Sequence, residues 1–373
     1  MICSNEAVSL YFHIPFCTKK CPYCHFYVIP NHLPHRSLLE SGLSVEWTMQ
    51  LPLLKEKEIV SIYFGGGTPT LFAPDGICGI LKRIRESGCV IREDCEITIE
   101  ANPEETTLEL LLDLRSLGIN RLSLGVQSLD DRSLLTLERI HTAEKAKSAI
   151  LNAKKAGFAN ISIDLMYDLP DQTEESWRHT LDQLGSLPIQ HLSLYNLTIE
   201  PHTPFFKRKL QLPCNEKSLQ FLTRALEKLE EIGLERYEIS AFAKKGYESR
   251  HNLGYWTGRP FLGFGPSAFS YWEGERFRNI ANLHRYTRKL QEEASPVDFR
   301  ERLPFPNNLK ELLAVRLRIL KGTSLKDFGQ IPADVLAGIE RLKKEGLLKQ
   351  TGLVLQLTDL GTLFYDTVAS ELI

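Results

Sequence analysis

Short runs of β-branched and aromatic residues return along this chain at intervals of roughly 25 to 40 residues, with amphipathic stretches of helical period between them. The strand candidates are Val8 to His13, Ile59 to Phe64, Glu96 to Glu100, Arg121 to Val126, Ile161 to Leu165 and His191 to Asn196. Between or after them lie helical patterns at Thr107 to Leu117, Ala143 to Ala156 and Lys217 to Ile232. Each is followed by a glycine, Gly118, Gly157 or Gly233, suited to a left-handed C-terminal cap. Strands that alternate with helices pair in parallel, and near-continuous apolar runs suit a sheet covered by helices rather than one facing water. The fold class is therefore α/β, and six units predict an incomplete (β/α)6 barrel over about residues 7–200.

After Pro201 the rhythm changes to a Pro-containing link, a long helix, a candidate seventh strand at Tyr237 to Ala241, and a Gly- and aromatic-rich stretch. A second domain is expected to begin near Pro304, which divides the chain into residues 1–303 and 304–373. From Asn308 onward the order is short helices, a helix at Leu336 to Glu345, Gly346, and two brief β-like runs around Leu353 to Leu357. That order is mostly helical and similar to a winged helix. Such folds often bind DNA, yet the charges here are mixed, and 45 Lys plus Arg against 47 Asp plus Glu build no field for a polyanion. A packing or partner role is expected instead, without nucleic acid.

No apolar run approaches the roughly 20 residues that span a bilayer, and Met1 to Ala7 lack the charged-then-apolar order of a secretory signal. A cytoplasmic protein that does not span a membrane is the expectation. Of its eight cysteines, three crowd into eight residues at Cys17, Cys21 and Cys24, directly after the first strand. Spacings of four and three would also fit a helical stripe of small core residues. Pro22 argues against that, because proline removes a backbone donor and clashes with the preceding turn of a helix. A loop whose thiolates converge on metal fits better. A structural zinc site normally takes four protein ligands, which His13 or His25 would have to complete. A cubane cluster can keep three cysteines and leave one iron open, and the spacing favours it.

The segment Cys17-Thr-Lys-Lys-Cys21-Pro-Tyr23-Cys24, with an aromatic just before its last cysteine, resembles the signature of the radical S-adenosylmethionine (SAM) proteins. The resemblance implies a 4Fe-4S cluster on the three cysteines, its fourth iron chelated by exchangeable SAM. Gly65-Gly66-Gly67-Thr68-Pro69 follows the second strand and lacks the lysine of a phosphate loop. In radical SAM proteins the matching segment lines the methionine moiety of SAM, which implicates Gly66, Gly67 and Thr68. Glu100, Gln127 and Asp164 close the third, fourth and fifth strands. Singly, each reads as an ordinary polar strand end. Their contexts are similar to those of the oxygen-independent coproporphyrinogen III oxidase family, where the matching positions, with Arg139, Tyr11 and Tyr23, imply SAM contacts.

Within that group the chain most resembles the HemW haem chaperones, and the resemblance runs into a HemN-type C-terminal domain over residues 304–373. The porphyrinogen-oxidising enzymes carry a further cysteine where this sequence has Phe26, and a longer arm before the first strand. Most HemW-like sequences have Asp where this one has His25, which leaves the role of that position open. His251-Asn252-Leu-Gly-Tyr255-Trp256 looks like the His-Asn-x-x-Tyr-Trp motif of the HemW group. Read from residue types alone, His251 and Tyr255 share a helical face beside Trp256, which an ordinary aromatic cluster also explains. The resemblance implies that His251, Asn252, Tyr255 and Trp256 contact haem. The resulting expectation is a haem chaperone that binds the cluster, SAM and haem, serves an unidentified acceptor protein and draws on an electron donor, with SAM cleavage regulatory or absent. The alternatives are a coproporphyrinogen III oxidase-like radical enzyme and a zinc-stabilised binding module. Cys3, Cys78, Cys89, Cys95 and Cys214 are expected to be dispensable for the cluster.

Overall fold

Along each strand the residues fall into two alternating sets, which the fold sends to opposite faces. Val8, Leu10, Phe12 and Ile14 join the main hydrophobic core, as do Leu122, Leu124 and Val126. The residues between them, such as Ser9, His13, Arg121 and Ser123, are buried as well but polar. The strands thus read as apolar on the face that meets the helices and as polar on the face that meets the interior.

The computed structural model describes residues 7–373. Six strands, β1 (Ala7–Ile14), β2 (Glu58–Gly66), β3 (Val90–Ala101), β4 (Arg121–Gln127), β5 (Asn160–Tyr167) and β6 (His191–Asn196), each pair in parallel with the next. All six candidates are present. Helices Leu33–Gln50, Asp75–Glu86, Leu108–Ser116, Ala143–Lys155 and Glu174–Asp182 supply the crossovers. Thr107, Thr142 and Thr173 each accept an N–H of the first turn that follows, satisfying a donor the helix cannot. Gly118, Gly157 and Gly233 end three helices with left-handed backbone. Among the described residues no helix is long and apolar enough to cross a membrane.

The sheet stays open. Beyond β6 it continues into β7 (Ala241–Ala243), antiparallel, and the two-residue strand Glu235–Arg236. The seventh strand expected at Tyr237 to Ala241 therefore begins only at Ala241 and runs the other way. Side chains draw the intervening residues out of the sheet: Tyr237 hydroxyl meets His191 Nε2 at 2.8 Å, and Glu238 takes Arg318 at 3.3 Å and the Ser240 N–H at 2.8 Å. Beyond β1 lie β8 (Phe261–Phe264), parallel to it, then antiparallel β9 (Phe269–Trp272), β10 (Glu275–Asn279) and β11 (Val297–Arg302).

The C-terminal residues build a separate core around Leu313, Ile339, Leu355 and Val368. A three-stranded antiparallel sheet, Thr323–Ser324, Val354–Leu357 and Leu348–Thr351, packs there with helices Asn307–Arg316 and Ala333–Lys344. Helix Asn307–Arg316 lies against helix Arg250–Thr257, where Arg316 Nε donates to the Thr257 carbonyl at 3.3 Å.

One buried carboxyl ties the first helix to the strands beyond β8. Glu46, 1% exposed, accepts from Tyr286 hydroxyl at 2.5 Å, Asn279 Nδ2 at 2.6 Å and the Gly265 N–H at 2.8 Å. Burial pushes this carboxyl up to about 7 while the three donors pull the other way. Glu46→Ala strands all three donors, so a loss of about 3 kcal/mol is expected. Denaturant unfolding of the two proteins measures it, and a loss within experimental error of zero would remove the carboxyl from this role.

Candidate cofactor site

The chain leaves β1 at Ile14 and pairs Phe16–Cys17 with Ile29–Pro30, closing a loop over the end of the sheet that holds Cys21 and Cys24. The Cys24 N–H turns back on the Cys21 carbonyl at 3.1 Å. Beneath the loop lies the glycine run at the end of β2. The Gly67 N–H donates to the Ile14 carbonyl at 2.9 Å and the Thr68 N–H to that of Phe16 at 2.7 Å. A Cβ on Gly67 would stand 2.5 Å from the Phe16 carbonyl oxygen, and one on Gly66 2.5 Å from the His13 ring. The missing side chains thus admit the cysteine loop as well as any ligand.

A polar network backs the sulfurs. Thr68 accepts from Asn102 Nδ2 at 2.8 Å, which leaves its own hydrogen for Cys17 Sγ at 3.7 Å. Arg139 holds Asn102 Oδ1 at 2.6 Å and the Gly125 carbonyl at 3.0 Å, and points its other nitrogen at Cys21 Sγ, 3.4 Å away. Donors so placed favour negative sulfur and are the outer layer that metal thiolates require. Burial pushes the Cys17 thiol up to about 11 and raises Cys24, with the neighbouring thiols adding to each. Such thiols lose their protons against a metal rather than on their own. Among the described residues no three His, Cys, Asp or Glu side chains converge closely enough to hold one ion. A cubane takes each cysteine on a different iron, so its ligands stand farther apart, and the donor set fits it better than zinc. Cys78, Cys89, Cys95 and Cys214 lie elsewhere, unpaired with one another, and Cys3 falls outside the described residues.

A cavity of about 430 Å³ opens beside the three cysteines at the C-terminal ends of the barrel strands. Tyr23, Gly66, Gly67, Glu100, Gln127, Arg139 and Asp164 all line it. Glu100 accepts from Tyr63 hydroxyl at 2.7 Å and from the Gly66 N–H at 3.1 Å. Burial pushes Glu100 up to about 7 and Asp164 up to about 6, so both meet an entering cation as groups whose ionisation it favours. Gln127 sits at φ 64°, a left-handed conformation at the point where the register of β4 on β5 shifts. Thr68 lies one layer back, behind Cys17, and Tyr11 faces a second cavity with its hydroxyl 3.1 Å from His13 Nδ1. Asn102, Met166 and Tyr195 belong to the cavity too. Asn102 stands two residues beyond Glu100 and Met166 two beyond Asp164, so strand alternation could have found both; nothing local marks Tyr195.

The second cavity, about 1050 Å³, lies between the strands beyond β1 and helix Asn307–Arg316. Its walls are aromatic, with Tyr255, Trp256, Phe261, Phe269, Tyr271 and Phe299. Arg276 and Arg278 reach its edge already paired, Arg276 with Glu301 and Glu311 and Arg278 with Asp298. His25 and Phe26 line both cavities. The tetrad read from the sequence is split. Tyr255 and Trp256 line this cavity, whereas His251 and Asn252 do not. His251 is buried, its Nδ1 3.0 Å from Ser61 Oγ and its Nε2 2.8 Å from Tyr255 hydroxyl, and burial pushes it down to about 3. With both ring nitrogens engaged inside the barrel, His251 orients Tyr255 and offers no free nitrogen to a ligand.

The radical SAM superfamily model matches residues 11–184, and the HemN C-terminal domain model matches residues 303–364. The chain is 32% identical over 371 residues to the haem chaperone HemW of Bacillus subtilis, covering 96% of this chain and 97% of that protein. It is 36% identical over 263 residues to HemW of Escherichia coli K12, covering 70% and 69%. Among solved structures it is similar to coproporphyrinogen III oxidase (HemN) of Escherichia coli, a radical SAM enzyme, with a TM-score of 0.86 and 26% identity over 98% of this chain and 90% of that one.

Two outcomes are expected. Cys17→Ala, Cys21→Ala and Cys24→Ala should each lose most bound iron and acid-labile sulfide after anaerobic reconstitution, whereas Cys78→Ala and Cys214→Ala should keep both; full content in Cys21→Ala would sink the three-ligand assignment. The carboxyls give a pH dependence. Glu100 and Asp164 hold their protons to about 7 and about 6 in the fold, against 4.5 and 3.8 ordinarily. The folded chain therefore binds more protons than the unfolded one in that window. Stability from these groups is full at the acid end and falls as pH rises through about 7, by at most about 3 kcal/mol for Glu100. Denaturant unfolding of cluster-free protein across this range should show the fall, and Glu100→Gln should flatten it.

Proposed function

The chain belongs to the HemW haem chaperone family, within the radical SAM superfamily, and we propose that it binds a 4Fe-4S cluster, SAM and haem and passes the haem to an acceptor protein. The observation that carries this reading is the pair of cavities that share His25 and Phe26, one polar and beside three cysteines, the other aromatic and larger. When bound, the cluster and SAM would supply one-electron chemistry in the first cavity. Cys17, Cys21 and Cys24 would hold the cluster. Gly66, Gly67, Glu100, Gln127, Arg139 and Asp164 would hold SAM with Tyr23, while Thr68 supports Cys17 and Tyr11 lines the second cavity. The carboxyls of Glu100 and Asp164 suit a ligand that brings positive charge.

The second cavity suits a porphyrin because its walls offer rings to a flat apolar face, and its volume sits at the upper end of the roughly 300–1,000 Å³ typical of ligand pockets. Tyr255 and Trp256 contribute directly, and His251 contributes by fixing Tyr255. Leu312 and Asn308 bring residues 304–373 to the same cavity, which gives the C-terminal domain a part in holding or releasing the cargo. Phe26 and Phe269, 55% and 47% exposed, lie at the surface of this region, where an acceptor would approach. An electron donor and a cytoplasmic setting complete the proposal.

The likeness to HemN favours a second reading, oxidation of coproporphyrinogen III in place of transport. Against it stands Phe26, where the oxidising enzymes are expected to carry a further cysteine. Haem titrated into full-length, reconstituted protein should bind at one equivalent. Phe269→Glu puts a charge into the aromatic wall at an exposed position, so haem affinity should fall about tenfold or more with iron and sulfide content unchanged. Anaerobic incubation with SAM, reductant and coproporphyrinogen III, followed by mass spectrometry, should yield no protoporphyrinogen IX beyond background. Multiple turnover there would favour the second reading.

A further inference from the structure

We infer that His25 is the axial ligand of haem iron in the second cavity, an assignment that rests on the haem-binding reading above. His25 is exposed, it follows Cys24 directly, and it lines both cavities. Its ring packs on Phe26 at 4.6 Å between centroids, and neither ring nitrogen has a hydrogen-bond partner among the described residues. An imidazole nitrogen left free at the wall of an aromatic cavity is the group that haem iron most often takes.

The competing donors around this cavity are engaged or unsuited. His13 has Nδ1 3.1 Å from Tyr11 hydroxyl and Nε2 3.0 Å from the Tyr27 carbonyl, so no nitrogen is spare. His251 is engaged in the same way within the barrel. The Tyr255 hydroxyl is committed to His251, and that of Tyr27 accepts the Leu283 N–H at 2.7 Å. Tyr271 also lines the cavity, but a phenol must give up its proton to bind iron, whereas a neutral imidazole binds as it stands. The carboxylates of Glu301 and Glu311 hold Arg276. His25 is the donor that can turn to the iron at no cost in internal hydrogen bonds. Its backbone is also fixed well. The Cys24 N–H is bonded to Cys21, and the strand pair Phe16–Cys17 with Ile29–Pro30 closes the loop that carries the imidazole.

The test uses the full chain, reconstituted anaerobically, titrated with ferric haem and followed by absorption and electron paramagnetic resonance. Wild type should take one equivalent with the spectrum of an imidazole-ligated iron. His25→Ala should shift the Soret band and weaken binding about tenfold, the loss of one coordinate bond beside a large apolar face. Added imidazole should restore the wild-type spectrum in that variant, which a merely structural role would not allow. His25→Met, which supplies a different ligand from the same position, should give a third spectrum and covers the case in which the alanine variant loses its cluster. Wild-type spectra and affinity in both His25 variants, or a Soret shift in Tyr271→Phe instead, would overturn the assignment while leaving the haem reading in place. Failure of the wild-type protein to bind haem overturns the haem reading itself, and the ligand assignment with it.

Discussion

The site depends on the closeness with which two backbones lie together, the glycine run that ends β2 and the loop that leaves β1. Two hydrogen bonds, from Gly67 to Ile14 and from Thr68 to Phe16, hold them there. No side chain fits between, since a Cβ on Gly67 would meet the Phe16 carbonyl at 2.5 Å. That contact brings Thr68 under Cys17, and through Asn102 it brings Arg139 to Cys21. A chain of three residues from three parts of the sequence thus sets the charge environment of two sulfurs. Each member is second to the sulfurs, yet each is fixed by the next, which is how outer-layer groups hold metal ligands in place.

The polar inner faces of the strands are the second constraint. Ser61 bonds Ser9 at 2.8 Å and His251 at 3.0 Å, and Ser162 bonds His191 at 2.8 Å. Small hydroxyl residues leave room for these rings, and the rings satisfy the hydroxyls, so this part of the interior is filled by polar side chains. Glu96 receives the N–H groups of Arg250 and His251, both at 2.9 Å, and so seats the start of helix Arg250–Thr257 against the barrel. The helix then presents alternate sides to two environments, with His251 inward and Trp256 toward the second cavity.

That second cavity exists because the sheet does not close on itself. Strands β8 to β11 extend it beyond β1, Glu46 anchors them to the first helix, and helix Asn307–Arg316 supplies the opposite wall. Aromatic residues on alternate strand positions, Phe269 and Tyr271 on β9, line one side, while Trp272 beyond them is buried away from it. Rings Phe269 and Phe299 meet edge to face at 6.4 Å between centroids.

By itself the sequence determined the six parallel strands, because β-branched and aromatic runs recur between stretches of helical period, and the ends of three helices, because glycines stop them. It also determined the cysteine loop, since Pro22 bars a helix through Cys17, Cys21 and Cys24, and the pairing of His251 with Tyr255, which follows from a spacing of four. Only the tertiary structure decided which way that pair faces, for the inward turn of His251 comes from Ser61 and Glu96, well over a hundred residues away. It alone moved the last barrel-edge strand to Ala241, because Tyr237 and Glu238 are drawn to His191 and Arg318. It alone joined His25 to walls drawn from residues 255 to 315, since period and propensity report a residue's neighbours along the chain, whereas a cavity is made by side chains that meet only once the elements have packed.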